Sequence, residues 1–183
     1  QIGGSIEGLV RSLAGVAGSD ELSSQYSVRG GNFDENLLII NGFEVYRPQL
    51  ARSGQQEGLS AINPDFVQFL SFSAGGFDAS KGDKLSSVLD VQYRSRNTDA
   101  LPGQQVRAGL FSGRIFGSAL LDHVGPRGKV YQSIAIGARY RSNAPFIRGG
   151  DVQGDLRSQA QDLQFLFESA SPRWFHEVLG MAQ

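Results

Sequence analysis

The stretch HEVLG at 176–180 carries the first half of a zinc-protease motif. In that motif two histidines on one helix face bind the metal, and the glutamate beside the first acts as base. Here the second histidine is missing, and Trp174–Met181 alternates as a strand would, so no metal site is expected at His176 and Glu177. His123 follows Asp122, but no serine or cysteine motif accompanies them, and a triad needs a positioned nucleophile. Asp34, Glu35 and Asn36 could offer oxygens to Ca²⁺, yet they lack the alternating ligands of an EF-hand loop. The glycine pairs at 3–4, 30–31, 75–76 and 149–150 have neither of the phosphate-loop spacings. The chain has no cysteine, which excludes disulfides, zinc-thiolate sites and thiol nucleophiles. The expectation is no catalytic residue, no metal and no cofactor, hence not an enzyme.

Arg29 is different. It ends a short strand-like run and is followed by Gly30 and Gly31. Such an arginine projects a permanent charge from a sheet while the backbone turns closely beside it. Its natural partner is a carboxylate, and none is obviously dedicated to it here, so that partner is expected in sequence outside this stretch.

The bulk numbers narrow the field. With 17 basic and 18 acidic side chains among 183 residues, the net charge is -1. No global field or basic-aromatic face points to nucleic acid. Gly, at 24 residues, is about twice the usual ~7%. No run approaches the ~20 apolar residues of a membrane helix, which leaves a membrane barrel open because its strands only alternate. The chain starts at Gln1 with no leader-like segment, which reads as a piece of something longer.

Two halves follow different grammars. In 1–95, Ile6, Leu9, Val10 and Leu13 fit one helical face, with Ser5 as cap and Gly15 as stop. Tyr26–Arg29 reads as a short strand. Leu37–Ile40 and Phe43–Tyr46 flank Asn41-Gly42, a strong hairpin signal. Asn63-Pro64 predicts a brief helical turn, and Val67–Ser73 and Leu85–Arg94 predict strands. A linker is expected at 96–103. Beyond it, in 104–183, strand rhythm dominates. Val130, Ile134, Ile136, Ala138 and Tyr140 alternate with Ser133, Gly137, Arg139 and other small or cationic residues, the grammar of a barrel strand. Lipid is expected on the Val130/Ile134/Ile136 side and water on the other.

The order of these pieces resembles the TonB-dependent outer-membrane receptors, especially the Bacteroidetes-like kind. The resemblance rests on SIEGLVRSLAGVAG (5–18), YSVRGGNFDENLLIINGFEVYRP (26–48) and SGQQEGLSAINPDFVQFLSFSAGGFDASKGDKLSSVLDVQYR (53–94). Within them, Gly15-Val16, Arg29-Gly30 and Asn41-Gly42 match the family's helix end, plug arginine and hairpin. Lys81-Gly82 through Ser87-Val88 match less well. The second half matches by rhythm only.

This resemblance implies an α+β plug domain over 1–95, a small mixed sheet with short helices. Antiparallel strands of an incomplete transmembrane β-barrel would follow over 104–183. It implies a cell outer-membrane location in a Gram-negative cell and plug-gated, energy-coupled uptake of a siderophore, cobalamin, glycan or peptide. The implied partners are a TonB-type inner-membrane protein, acting through sequence absent here, outer-membrane lipid and the rest of the barrel. Arg29 and Gly30 would serve plug–barrel gating. Arg47, Gln49, Arg52, Gln55 and Gln56 would be ligand-contact candidates. The rival reading is a soluble α+β binding or interaction module whose second half is a self-contained sandwich or small barrel.

Overall fold

The computed structural model describes residues 6–18, 25–46, 52–53, 56–57, 60–82, 84–93, 104–108, 112–125, 128–142 and 159–182. The chain divides into two compact units, Gln1–Tyr93 and Arg94–Gln183. Ser5 and the expected linker at 96–103 lie outside the described residues.

The first unit opens with α1 (Ile6–Arg11), followed by β1 (Val16–Ala17), β2 (Ser27–Val28), β3 (Asn36–Ile40) and β4 (Phe43–Glu44). Then come β5 (Arg52–Ser53), β6 (Gln56–Glu57), β7 (Val67–Ser73) and β8 (Ser87–Tyr93). Its main sheet has the order β4-β3-β8-β7. β3 runs parallel to β8, with Leu37 opposite Val88 and Ile40 opposite Val91. Leu37, Leu38, Ile39 and Ile40 are all buried, which explains why NLLII is a continuous apolar run and does not alternate.

The expected α+β architecture with short helices is corrected here. Among the described residues the fold is mostly β, 62% strand against 10% helix, in several sheets of which none closes. Among the described residues α1 is the one α-helix. One local cause is visible. The apolar stripe expected on the first helix breaks down: Val10 is buried, but Leu9 (59% exposed) and Leu13 face outward while Glu7 turns in. The helix then stops as the backbone reaches Gly15, at φ +81°. At Asn63-Pro64 the brief turn expected there does form. Asn63 Oδ1 accepts the Asp65 amide (3.1 Å) as a cap would, the Phe66 amide donates to Asn63 O at 3.1 Å, and Val67 onward is already strand.

The hairpin at Asn41-Gly42 forms as the dipeptide predicts, with φ +49° and +82°, the two left-handed positions of a type I′ turn. Asn41 does more than turn the chain. Its Oδ1 accepts the Tyr93 amide at 2.7 Å, and its own amide donates to Val91 O at 2.9 Å. Asn41→Ala should therefore cost about 1–3 kcal/mol, from left-handed strain and an orphaned amide together. Asn41→Gly should recover only the strain part. Urea midpoints of the two variants check this.

The second unit is an antiparallel meander. Its strands are β9 (Gln105–Ala108), β10 (Ser112–Leu120), β11 (His123–Gly125), β12 (Gly128–Ser142), β13 (Gln159–Ser171) and β14 (Trp174–Ala182). The order is β14-β13-β12-β10-β9, with β11 also paired to β12. The β10, β12, β13 and β14 ladders run without a register shift. Residues directly opposite in such ladders share a face, so the face of every side chain follows from the pairing.

Candidate functional site

Two features could carry function, one in each unit. In the first, Arg29 sits at φ +50° and Gly30 at φ +83°, with the Gly31 amide donating to Val28 O at 2.9 Å. This is a second type I′ corner, but with arginine where asparagine or glycine is usual. A left-handed arginine costs about 1–2 kcal/mol, and strain of that kind gathers at functional positions. The Arg29 amide donates to Gly15 O (2.9 Å), which ties the corner to the end of β1. The guanidinium reaches over the backbone at Gly75, where a Cβ would stand 3.3 Å from Nη1. Gly75 is itself at φ +102°. The side chain is exposed, and among the described residues no carboxylate is paired with it.

Gly31 is constrained by space. An added Cβ would meet Ser86 Oγ at 2.4 Å and Glu35 Oε2 at 2.7 Å. The first unit also holds a polar network. Ser60 Oγ donates to Glu7 and accepts the Ile62 amide at 3.0 Å. Asn36 Nδ2 donates to Tyr26 O at 2.7 Å, and Ser87 Oγ donates to Asn36 Oδ1 at 2.7 Å. Burial pushes the Tyr26 phenol well above its ordinary range; a hydrogen bond with Ser87 opposes this and the Glu7 charge adds to it.

The other candidate residues scatter. Arg47, Gln49 and Gln55 lie outside the described residues. Arg52 and Gln56 sit on the small β5–β6 hairpin, where Ser53 pairs with Gln56. His176 and Glu177 are neighbours on β14 and so point to opposite faces, which separates the two halves of the zinc-like motif. His176 instead lies against Trp174, ring centroids 4.9 Å apart. Asp122 accepts the Gln132 amide at 3.4 Å. Among the described residues no group of three His, Cys, Asp or Glu could hold a metal ion.

The second feature is the two-faced sheet. Strands β9, β10, β12, β13 and β14 carry Arg107, Arg114, Lys129, Arg139, Arg141, Asp162, Glu168 and Glu177, and the register puts all of them on one face. The opposite face holds no Asp, Glu, Lys or Arg. Its rows read Val106–Ile115–Ala138–Leu163–Ala182, then Gly117–Ile136–Phe165–Gly180, then Ala119–Ile134–Phe167–Val178. The alternation predicted for β12 therefore holds, with Val130, Ile134 and Ile136 on one side and Ser133, Gly137 and Arg139 on the other.

Burial runs opposite to the pattern of a water-soluble sheet. Ile136 is 47% and Leu163 48% exposed, whereas Arg139 is 7% and Asp162 4% exposed. On the charged face, Arg139 Nε and Nη2 donate to Asp162 Oδ1 and Oδ2, each at 2.7 Å. Gln164 Nε2 adds a third bond to Oδ2, also 2.7 Å. Further along, Ser133 Oγ donates to Glu168 Oε2 at 2.9 Å. Sequence reasoning missed the Arg139–Asp162 pair. Each strand is legible alone, but their register depends on the 143–158 connection, which is too long for its turn residues to fix a register.

The uncharged face also has ends. On one side, Gln132 Nε2 donates to Ser169 Oγ (3.2 Å), with His176 in the same row and Trp174 in the next but one. On the other stand Tyr140 and Gln161, paired across β12 and β13. From the Gln132 row to the Tyr140 row is about 26 Å along a strand. At the ~40° tilt of barrel strands that is about 20 Å, a little short of the ~25 Å of an outer-membrane apolar band. Compared with known proteins, the chain matches no family model, no curated protein and no solved structure.

Proposed function

We propose that this chain is part of a TonB-dependent outer-membrane receptor. The C-terminal sheet is a section of the membrane wall, and the mostly β N-terminal unit gates uptake of a siderophore, cobalamin, glycan or peptide. The observation that carries the reading is the segregation of every charged strand residue to one face of the β9–β14 sheet. A sheet bathed in water keeps its charges on the exposed face; a sheet in lipid does the reverse. In this reading Ile134, Ile136, Leu163 and Phe165 meet hydrocarbon, and Trp174 and Tyr140 mark the interfaces, where amphipathic rings gather. The partners are outer-membrane lipid, the remaining wall strands and an energy-coupling inner-membrane protein.

Arg29 is the gate residue in this reading: an exposed guanidinium held in a strained corner, positioned to pair with a wall carboxylate outside this chain. Such a pair can hold a gate shut and yet be broken by a pull. Arg29→Gly then has two separable effects. It relieves the left-handed strain, raising stability by about 1 kcal/mol, and it loosens gating, so that substrate uptake in cells changes. Higher stability with unchanged uptake would leave Arg29 a merely tolerated outlier.

Depth-dependent quenching by brominated lipids tests the membrane assignment. Trp174 is the only tryptophan in the chain, and bromines near the headgroups should quench it best. An Ile136→Trp probe in a Trp174→Phe background should respond best to bromines near the chain ends. A probe at 136 that no brominated lipid quenches overturns the assignment.

A further inference from the structure

We infer that the uncharged face of the C-terminal sheet holds a seat for one phospholipid acyl chain at its Tyr140 end; the inference rests on the membrane reading above. The face is not level there. Across adjacent strands, Gly113 stands opposite Tyr140, Ile115 opposite Ala138, and Leu163 opposite both Ala138 and Ala182. Small and large side chains thus alternate in both directions. The small ones, Gly113, Ala138 and Ala182, form a floor between the walls of Ile115 and Leu163, leaving a groove of about 600 Å³.

The chemistry of the groove selects its occupant. Protein partners bring hydrogen bonds, roughly one per 100–200 Å², and need donors and acceptors on the surface they meet. Between the Gln132 row and the Tyr140 row, this face presents only carbon side chains and glycine. A methylene chain needs no polar partner and gains about 0.8 kcal/mol for each CH₂ it buries. Arg107, Arg114, Arg139 and Asp162 also line the groove, but the register puts their side chains on the opposite face, so its polar side chains on this face are those of Tyr140 and Gln161. They suit a lipid whose chain lies over Ala138 and whose glycerol and headgroup sit beyond Tyr140. Bulk lipid requires no concavity; a groove withholds one chain from exchange.

The test uses the full-length protein purified from membranes. Native mass spectrometry after stepwise detergent washing reads retained phospholipid, and a chain-labelled spin-label phosphatidylcholine reads motional restriction in bilayers. Ala138→Phe fills the floor and should abolish both the retained lipid and the restricted signal. Ala119→Phe lies on the same face beyond the groove and should leave both as in the parent. Equal retention in all three proteins overturns the seat while leaving the membrane reading intact. A protein that stays soluble and monomeric without detergent overturns the membrane reading itself. A soluble dimer that Ala138→Phe dissociates makes the occupant a second copy and overturns the lipid assignment.

Discussion

Ile136→Arg should destabilise the folded protein by about 2–4 kcal/mol in a bilayer, the cost of arginine on a barrel's lipid face near the midplane. Ile136 lies between the row of Gln132, Ser169 and His176 and the row of Tyr140 and Gln161. It is thus far from either interface and cannot easily snorkel. In a water-soluble sheet the opposite holds. Replacing a half-exposed isoleucine with arginine changes stability by no more than about 0.5 kcal/mol and improves solubility. Urea titration of the protein refolded into liposomes measures the difference. Ile134→Arg, one row along, should behave in the same way. A variant at Ile136 as stable as its parent would remove the main support for lipid contact.

Asp162→Ala should be the most damaging single change on the charged face, at about 3–5 kcal/mol, because it strands a buried guanidinium. The pair is nearly sealed, with side-chain exposures of 5% and 1%. Asp162 accepts both Arg139 bonds and the Gln164 amide, so the variant leaves three donors unmet. Asp162→Asn keeps the shape and one acceptor oxygen and should fall between. The double variant Arg139→Met/Asp162→Leu should return near the parent, since removing a buried pair whole is often neutral or better. Denaturation midpoints of the parent, Arg139→Met, Asp162→Leu and the double variant form a double-mutant cycle. Additive losses would mean that the two groups do not depend on each other.

Short-range chemistry was the legible part of this chain. Asn41-Gly42 specifies its turn through backbone conformation alone, and Val67–Ser73 and the alternation in β12 are local patterns, so all three could be read without knowing the fold. The first helix was over-read. Four apolar residues at helical spacing suggested a stripe, but Leu9 and Leu13 stay exposed, whereas the Glu7 carboxylate found Ser60 53 positions away. A partner at that distance leaves no mark near residue 7. The α+β expectation itself followed from the receptor resemblance. Of the candidate site, Arg29 was legible because arginine before two glycines is a local oddity. That every charge in strands β9–β14 shares one face depends on the register between strands, a relation among segments that no one segment contains.

The parallel pairing of β3 with β8 has a consequence for biogenesis. Asn36 and Ser87 are neighbours in the sheet yet 51 positions apart in the chain. As the polypeptide is made N-terminus first, Leu37–Ile40 emerges well before the strand that will cover it. For that interval NLLII is an uncharged, β-prone ribbon with bare edges, the kind of segment that seeds aggregation. Aggregation during synthesis should therefore rise when the 41–86 excursion is lengthened.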